Sequence, residues 1–217
     1  QAFAFDGVDD YVAFPTADFS YVRGLALWVQ STRPDRAIID CGPGAQQYWT
    51  WRVGLDPEGR PYHEHFRNGA SGYVRATAAT SVTDGAFHFI AIQTDNDAKS
   101  ISVFVDGQEE GRYTETLPTF TLWAAAAPGA VSLGRGTARD LPPSYFEGVA
   151  DELLFFDRVL AASDIAALYA AGGAGLCPWS PEIRFTEIGL VGAELRLVSA
   201  GLGQPGVPQV LQGAAGL

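Results

Sequence analysis

The sequence predicts an all-β fold, a two-layer antiparallel sandwich, on three observations. Hydrophobic residues alternate with polar ones in short runs, Asp-Gly and Glu-Gly dipeptides fall between the runs, and the 25 glycines and 13 prolines are spread along the chain rather than pooled. Alternation with a period of two turns one side of a strand toward a core and the other toward solvent, and frequent turns keep each strand short.

In chain order, Ala2-Phe3-Ala4-Phe5 alternates, stops at Asp6-Gly7 and resumes as Tyr11-Val12-Ala13-Phe14 before Pro15. Leu25-Ala26-Leu27-Trp28-Val29, Ala37-Ile38-Ile39 and Tyr48-Trp49-Thr50-Trp51-Arg52-Val53 continue the series, and turn signals recur at Glu58-Gly59, Asp84-Gly85 and Asp106-Gly107. The clearest hairpin sets Phe87–Ile92 against Ser100–Val105 across the polar stretch from Thr94 to Lys99. Ile101, Val103 and Val105 then share one face, the predicted core face. Asp106-Gly107 supplies two residues that tolerate the positive φ of a tight hairpin turn.

Ser163–Ala171 is the single stretch that argues for a helix. Ser163 is placed to cap it, Asp164 complements its dipole, Ile165, Leu168 and Tyr169 line one side, and Gly172-Gly173 ends it. It follows a strand at Asp151–Phe156, so it is an appendage on a sandwich and not an α/β repeat. Beyond Cys177-Pro178, Ile183–Ile188 and Glu194–Val198 are two further strands, followed by glycine- and proline-rich sequence to Leu217. The division is therefore 1–175 for the sandwich and 176–217 for a small β-rich tail. The tail is either extra strands docked on the sandwich or, the preferred reading, the cut-off start of a following domain, because ~35 residues are too few for an independent β-domain.

The net charge of −11, from 14 basic and 25 acidic residues, repels a phosphate backbone and an anionic membrane surface, which excludes nucleic acid as a partner. Membrane insertion is excluded as well, since no apolar run approaches the ~20 residues needed to span a bilayer. The chain begins at Gln1 and contains no methionine, so it reads as a processed or excised piece of a larger multidomain chain. A single lysine against thirteen arginines, with heavy alanine and glycine usage, reflects GC-rich bacterial coding. Cys41 and Cys177 are far apart and in no metal-ligand spacing; a disulfide and two buried thiols both remain open.

Four segments carry a family resemblance: Phe5-Asp6-Gly7-Val8-Asp9-Asp10-Tyr11-Val12, Thr83-Asp84-Gly85-Ala86-Phe87-His88-Phe89, Val103-Phe104-Val105-Asp106-Gly107, and Gly148–Leu160 running into the helix. In this order and spacing the chain resembles the laminin-G-like, concanavalin A-like jelly-roll superfamily over about residues 1–172. The resemblance implies two antiparallel sheets in jelly-roll order, with the first and last strands of the module near each other, and an extracellular or cell-surface setting in a secreted modular protein. Phe87 departs from the commoner tryptophan, a change that apolar burial at that position tolerates. Family members bind glycans or extracellular proteins, and fold alone does not choose between them.

The leading expectation is a non-catalytic, carbohydrate-binding, lectin-like module, with a protein-adhesion or architectural module as the alternative. A glycoside hydrolase of the same fold needs two carboxylates straddling a glycosidic bond. Asp151, Glu152 and Asp157 form the one dense carboxylate group on a predicted strand, but Asp151 and Glu152 point to opposite faces and the Glu-x-Asp-x-x-Glu pattern of the related glycosidases is missing. No Gly-x-Ser-x-Gly elbow supports acyl transfer. For sugar stacking, Trp49, Trp51, Tyr62 and Tyr73 are the candidates, with Arg67 to bond hydroxyls; alternation puts Trp49 and Trp51 on one face and Tyr48 on the other, without saying which is core.

The turn from Asp6 to Asp10 offers the carboxylates of Asp6, Asp9 and Asp10 together with glycine-relaxed carbonyls, which suits Ca2+ as a structural ion. The same aspartates could instead bond turn amides. By resemblance, Asp151 is expected close to this group. His63 and His65 project from one face if their segment is a strand, so they either supply two ligands to a transition metal or sit on a solvated strand surface. His88 is expected to pack and hydrogen-bond.

Overall fold

The computed structural model describes residues 2–14, 22–41, 51–66, 73–116, 131–136 and 144–172, together with the backbone of 184–191, 194–200 and 209–211. Two antiparallel sheets form the expected sandwich. Sheet A runs in the order β1 (Phe3–Asp6), β12 (Glu147–Phe156), β3 (Gly24–Gln30), β8 (Phe87–Asp95), β9 (Ser100–Val105) and β10 (Gln108–Thr114). Sheet B runs in the order β2 (Val12–Phe14), β11 (Val131–Leu133), β4 (Arg36–Cys41), β5 (Trp51–Leu55), β6 (Pro61–Phe66) and β7 (Tyr73–Thr77). The pairing of β1 with β12 joins the two ends of the module, as the jelly-roll resemblance implies. In the tail, β13 (Arg184–Val191) and β14 (Glu194–Ala200) pair with each other, and β15 (Gln209–Leu211), inside the run with no strand signal, pairs with Leu153–Phe155 of β12.

The core follows from alternation. Leu25, Leu27, Ile90, Ile92, Ile101, Val103 and Val105 of sheet A are buried against Ile39, Cys41, Trp51, Val53 and Val74 of sheet B. Each such side chain contributes about 1.5–3 kcal/mol through removal from water, the driving force that fixes which side of every strand faces inward. Cys41 lies in this core, while Cys177 is outside the described residues. Phe87 is corrected: it is among the exposed large hydrophobics, because it lies on the outer face of sheet A with Phe89 but outside the apolar cluster that Phe89 joins there.

The outer face of sheet A has its own apolar cluster, in which Ala26, Phe89, Phe104 and Leu154 meet Leu160 and Ile165 of α1 (Ala162–Ala171). Trp28 stacks on Tyr169 at 5.7 Å between ring centroids. Two details set the helix in place. The side-chain amide of Gln93 donates to the Leu160 carbonyl at 3.2 Å, and its oxygen accepts from the Leu160 amide. Gly107 passes so close beneath the helix that a Cβ there would lie 3.1 Å from Tyr169. The expected Ser163 cap is corrected: the cap position is Ala161, extended at ψ 151 with no side-chain cap, because the Gln93 contact holds the chain at Leu160 and starts the helix earlier. Among the described residues no helix is long and apolar enough to cross a membrane.

The hairpin of β9 and β10 turns at Asp106 and Gly107 with φ of 48° and 80°, the pair of positive values that a type I′ turn requires. Asp106 also anchors the start of β8: its carboxylate accepts from the Phe89 amide at 2.9 Å and meets His88 Nδ1 at 2.8 Å, while His88 Nε2 meets Asp84 Oδ1 at 3.2 Å. Partial burial pushes the His88 imidazole down, but hydrogen bonds to Asp106 and Asp84, with their negative charge, outweigh it and hold its pKa above the ordinary 6.5. A histidine with a raised folded pKa lends stability that is complete below pH 6.5 and fades as pH rises through the folded value. In thermal melts from pH 5 to 9, His88→Gln should be destabilised relative to the native chain at the acid end, with the gap narrowing above neutrality; a gap constant with pH would contradict this account.

Candidate functional site

Turning Ile39, Trp51 and Val53 inward sends the residues between them outward. Asp40 of β4 pairs in register with Arg52 of β5, Arg52 with Glu64 of β6, and Glu64 with Arg75 of β7, so four charges of alternating sign cross the outer face of sheet B in one row. Arg52 Nη2 lies 2.9 Å from Asp40 Oδ2, and Arg75 Nη2 lies 2.8 Å from Glu64 Oε2. Asp40, Arg52 and Glu64 are buried, so their ion pairing is what makes the arrangement tolerable: an isolated charge in such a place costs several kcal/mol.

Tyr62 lies on the same face two residues before Glu64. Its ring packs over Gly54, where a Cβ would come 2.7 Å from the phenol oxygen, and the Arg75 guanidinium sits 3.9 Å above the ring centroid. Burial pushes the Tyr62 hydroxyl pKa up, against the positive charge of Arg52 and Arg75, so the phenol stays protonated. Toward the sheet edge the row opens to solvent: the Arg75 side chain is 37% exposed and Tyr73, its neighbour on the same face of β7, is 38% exposed. The outcome is an accessible aromatic ring beside an arginine whose position is fixed by a buried carboxylate below and an aromatic ring beneath it.

The predicted binding residues therefore separate. Tyr62 and Tyr73 share this face, Tyr62 buried at 6% exposure and Tyr73 accessible. Trp51 is corrected: at 1% exposure it belongs to the core between the sheets, because Arg52 takes the outward position next to it. Trp49 and Arg67 lie outside the described residues. The row itself was missed, although Asp40, Arg52, Glu64 and Arg75 are each a charged residue within an otherwise apolar or alternating run, the signal that could have found them.

His63 and His65 do share one face, with ring centroids 6.1 Å apart, but it is the inner face, so the solvated-surface reading is overturned. They oppose Val53 and Trp51 on β5 and Ala76 and Val74 on β7. Burial, aided by the nearby His65, pushes the His63 pKa well below its ordinary value, so this imidazole is neutral.

The second cluster is the turn after β1. Ligand oxygens of Asp6, Asp9 and Asp10 lie within 4.8 Å of one another, all three residues being exposed. Asp6 Oδ1 accepts from the Val8 amide at 2.8 Å and Asp10 Oδ2 accepts from the Asp6 amide at 3.3 Å, so the turn-amide role expected of these aspartates is present, and it leaves further carboxylate oxygens facing one another. Gly7, at φ 80°, lies against Glu147, where a Cβ would meet that side chain at 2.9 Å. The expected place of Asp151 is corrected by the strand register. Asp6 opposes Glu147, and Asp151 stands four residues, about 13 Å, further along β12 opposite Trp28. Glu147 is the β12 carboxylate beside the turn, and Arg33 Nε donates to its Oε2 at 3.1 Å. The three clustered carboxylates form a hard-oxygen donor set of the kind that can hold a cation.

Comparison with known proteins identifies the fold independently. No curated protein matches the sequence. Among solved structures, the chain is similar to the CBM40 of a Ruminococcus gnavus IT-sialidase bound to α2,3-sialyllactose, with a TM-score of 0.58 and 13% identity over 78% of this chain and 98% of that one. It is similar to domains LG4–5 of the mouse laminin α1 chain, with a TM-score of 0.55 and 15% identity over 74% of this chain and 42% of that one. A third likeness is domain 4 of AbnA, a GH43 extracellular arabinanase from Geobacillus stearothermophilus, in complex with arabinotriose: TM-score 0.51 and 18% identity over 73% of this chain and 70% of that one. At these identities the likeness is one of fold. A family model described as the concanavalin A-like lectin/glucanases superfamily matches residues 6–166, and the chain belongs to that superfamily.

Proposed function

We propose that this chain is a non-catalytic carbohydrate-binding module of a secreted or cell-surface protein, and that its glycan platform is the β6–β7 edge of sheet B. The observation that carries the reading is the exposed Tyr73 beside Arg75, which is itself held by Glu64 and by the ring of Tyr62. A sugar offers C–H faces to an aromatic ring and hydroxyls to a charged donor, and a pre-positioned arginine loses little freedom when it makes those bonds. The sialyllactose and arabinotriose bound by two relatives of the same fold support the class of ligand.

The Asp6–Asp10 turn is proposed as a calcium site with a structural role. The ion would screen the repulsion among Asp6, Asp9 and Asp10 and would tie the turn to Glu147 at the end of β12. The second reading is adhesion to a protein partner, in which the same exposed edge, with Tyr73 accessible, contacts a polypeptide.

A glycan array run on the purified chain, with calcium and with chelator, tests the main reading. Binding to a defined sugar class is expected. Tyr73→Ala should weaken it by about 3- to 10-fold, the loss that removal of one aromatic contact brings. Silence across the array would move the assignment to adhesion. For the metal, calcium added to chelator-treated protein should raise Tm, by the equivalent of about 2.7 kcal/mol at a hundredfold excess over Kd. Asp9→Asn should blunt that rise, and a native chain whose Tm ignores calcium would remove the ion from the account.

A further inference from the structure

We infer that the glycan recognised at the β6–β7 edge is a neutral sugar rather than an acidic one, an inference that rests on the carbohydrate-binding reading above. An acidic sugar is recognised through its carboxylate, which needs a cation able to turn toward it. Among the described residues of this face, the cations are already engaged. Arg52 is paired with Asp40 at 2.9 Å and Arg75 with Glu64 at 2.8 Å, so the row of two carboxylates and two guanidinium groups sums to zero charge.

The pairing is not one that an incoming anion can take over cheaply. The Glu64 side chain is 5% exposed, so drawing Arg75 away would leave a buried carboxylate without its counter-charge, a change of the kind that is strongly unfavourable. At longer range the net charge of −11 repels a polyanionic chain. Neutral hydroxyls face no such barrier: they accept from the outward N–H groups of Arg75 while its pair with Glu64 persists, and the Tyr73 ring takes the apolar side of the sugar.

Glu64 is thereby a specificity-determining residue acting through Arg75. Glu64→Gln keeps the shape and removes the counter-charge, releasing the guanidinium toward an added anion. Binding of lactose, arabinotriose and sialyllactose to the native chain and to Glu64→Gln, each at low and high salt, decides the matter. The native chain is expected to bind a neutral sugar at least as tightly as sialyllactose, with affinity changing by less than about twofold across the salt series, since no charge is being screened. In Glu64→Gln the affinity ratio of sialyllactose to lactose should rise on the order of tenfold, the increment of one charge-assisted hydrogen bond. If that variant fails to fold, the native chain's sugar preference and salt series still give the answer. Tighter, salt-sensitive binding of sialyllactose by the native chain would overturn the inference while leaving carbohydrate binding intact. No binding to these probes or to a wider array of neutral and acidic glycans would overturn the carbohydrate reading and this inference with it.

Discussion

A strand that gives one face to a core must place its alternate residues on the other, and in sheet B this rule decides what the surface can do. Burying Trp51 and Val53 on β5 and His63 and His65 on β6 leaves Arg52, Tyr62 and Glu64 pointing outward, where Asp40 and Arg75 meet them from the strands on either side. Charges held at such low exposure persist because each lies against its opposite. From that pairing follows the placement of Arg75 over Tyr62 and, one step further out, beside the exposed Tyr73. The chemistry of the edge is thus a by-product of how the core is filled.

The two faces of the sandwich are used differently. On sheet A the outer face is apolar around Phe89, Phe104 and Leu154, and α1 covers it, held by the reciprocal contact of Gln93 with Leu160 and by the stack of Tyr169 on Trp28. That face is spent on stability. The acidic turn after β1 sits at a strand end, where Gly7 allows the approach of Glu147 and where carboxylates crowd without a matching set of cations. A charge-balanced row and an unbalanced acidic turn differ in the partners proposed for them, a neutral sugar in the first case and a divalent cation in the second.

Much of the architecture was legible because it rests on local rules. The runs at Leu25–Val29, Phe87–Ile92 and Ser100–Val105 alternate, and Asp106-Gly107 is a turn by its own chemistry. Three of the strands that escaped notice did so for plain physical reasons. Tyr73–Thr77 and Gln108–Thr114 are edge strands of their sheets with mostly polar outer faces, and Val131–Leu133 is only three residues long, sitting between β2 and β4 through non-local pairing. The site was legible in part: Tyr62 and Tyr73 were found as aromatics near polar residues, whereas alternation alone could not say whether Trp51 or Arg52 faces the core. Nor could it register β1 against β12, which is what exchanges Asp151 for Glu147 beside the acidic turn.

The central claim is that glycan binds the outer face of sheet B at its β6–β7 edge. Backbone amide shifts of the isotope-labelled chain, followed by NMR during titration with a sugar identified by array, test it most directly. The account predicts perturbations concentrated at Tyr62–Phe66 and Tyr73–Thr77, with the amides of α1 and the Asp6–Asp10 turn unmoved. Perturbations centred instead on α1 or on the Asp6–Asp10 turn, with β6 and β7 silent, would contradict it.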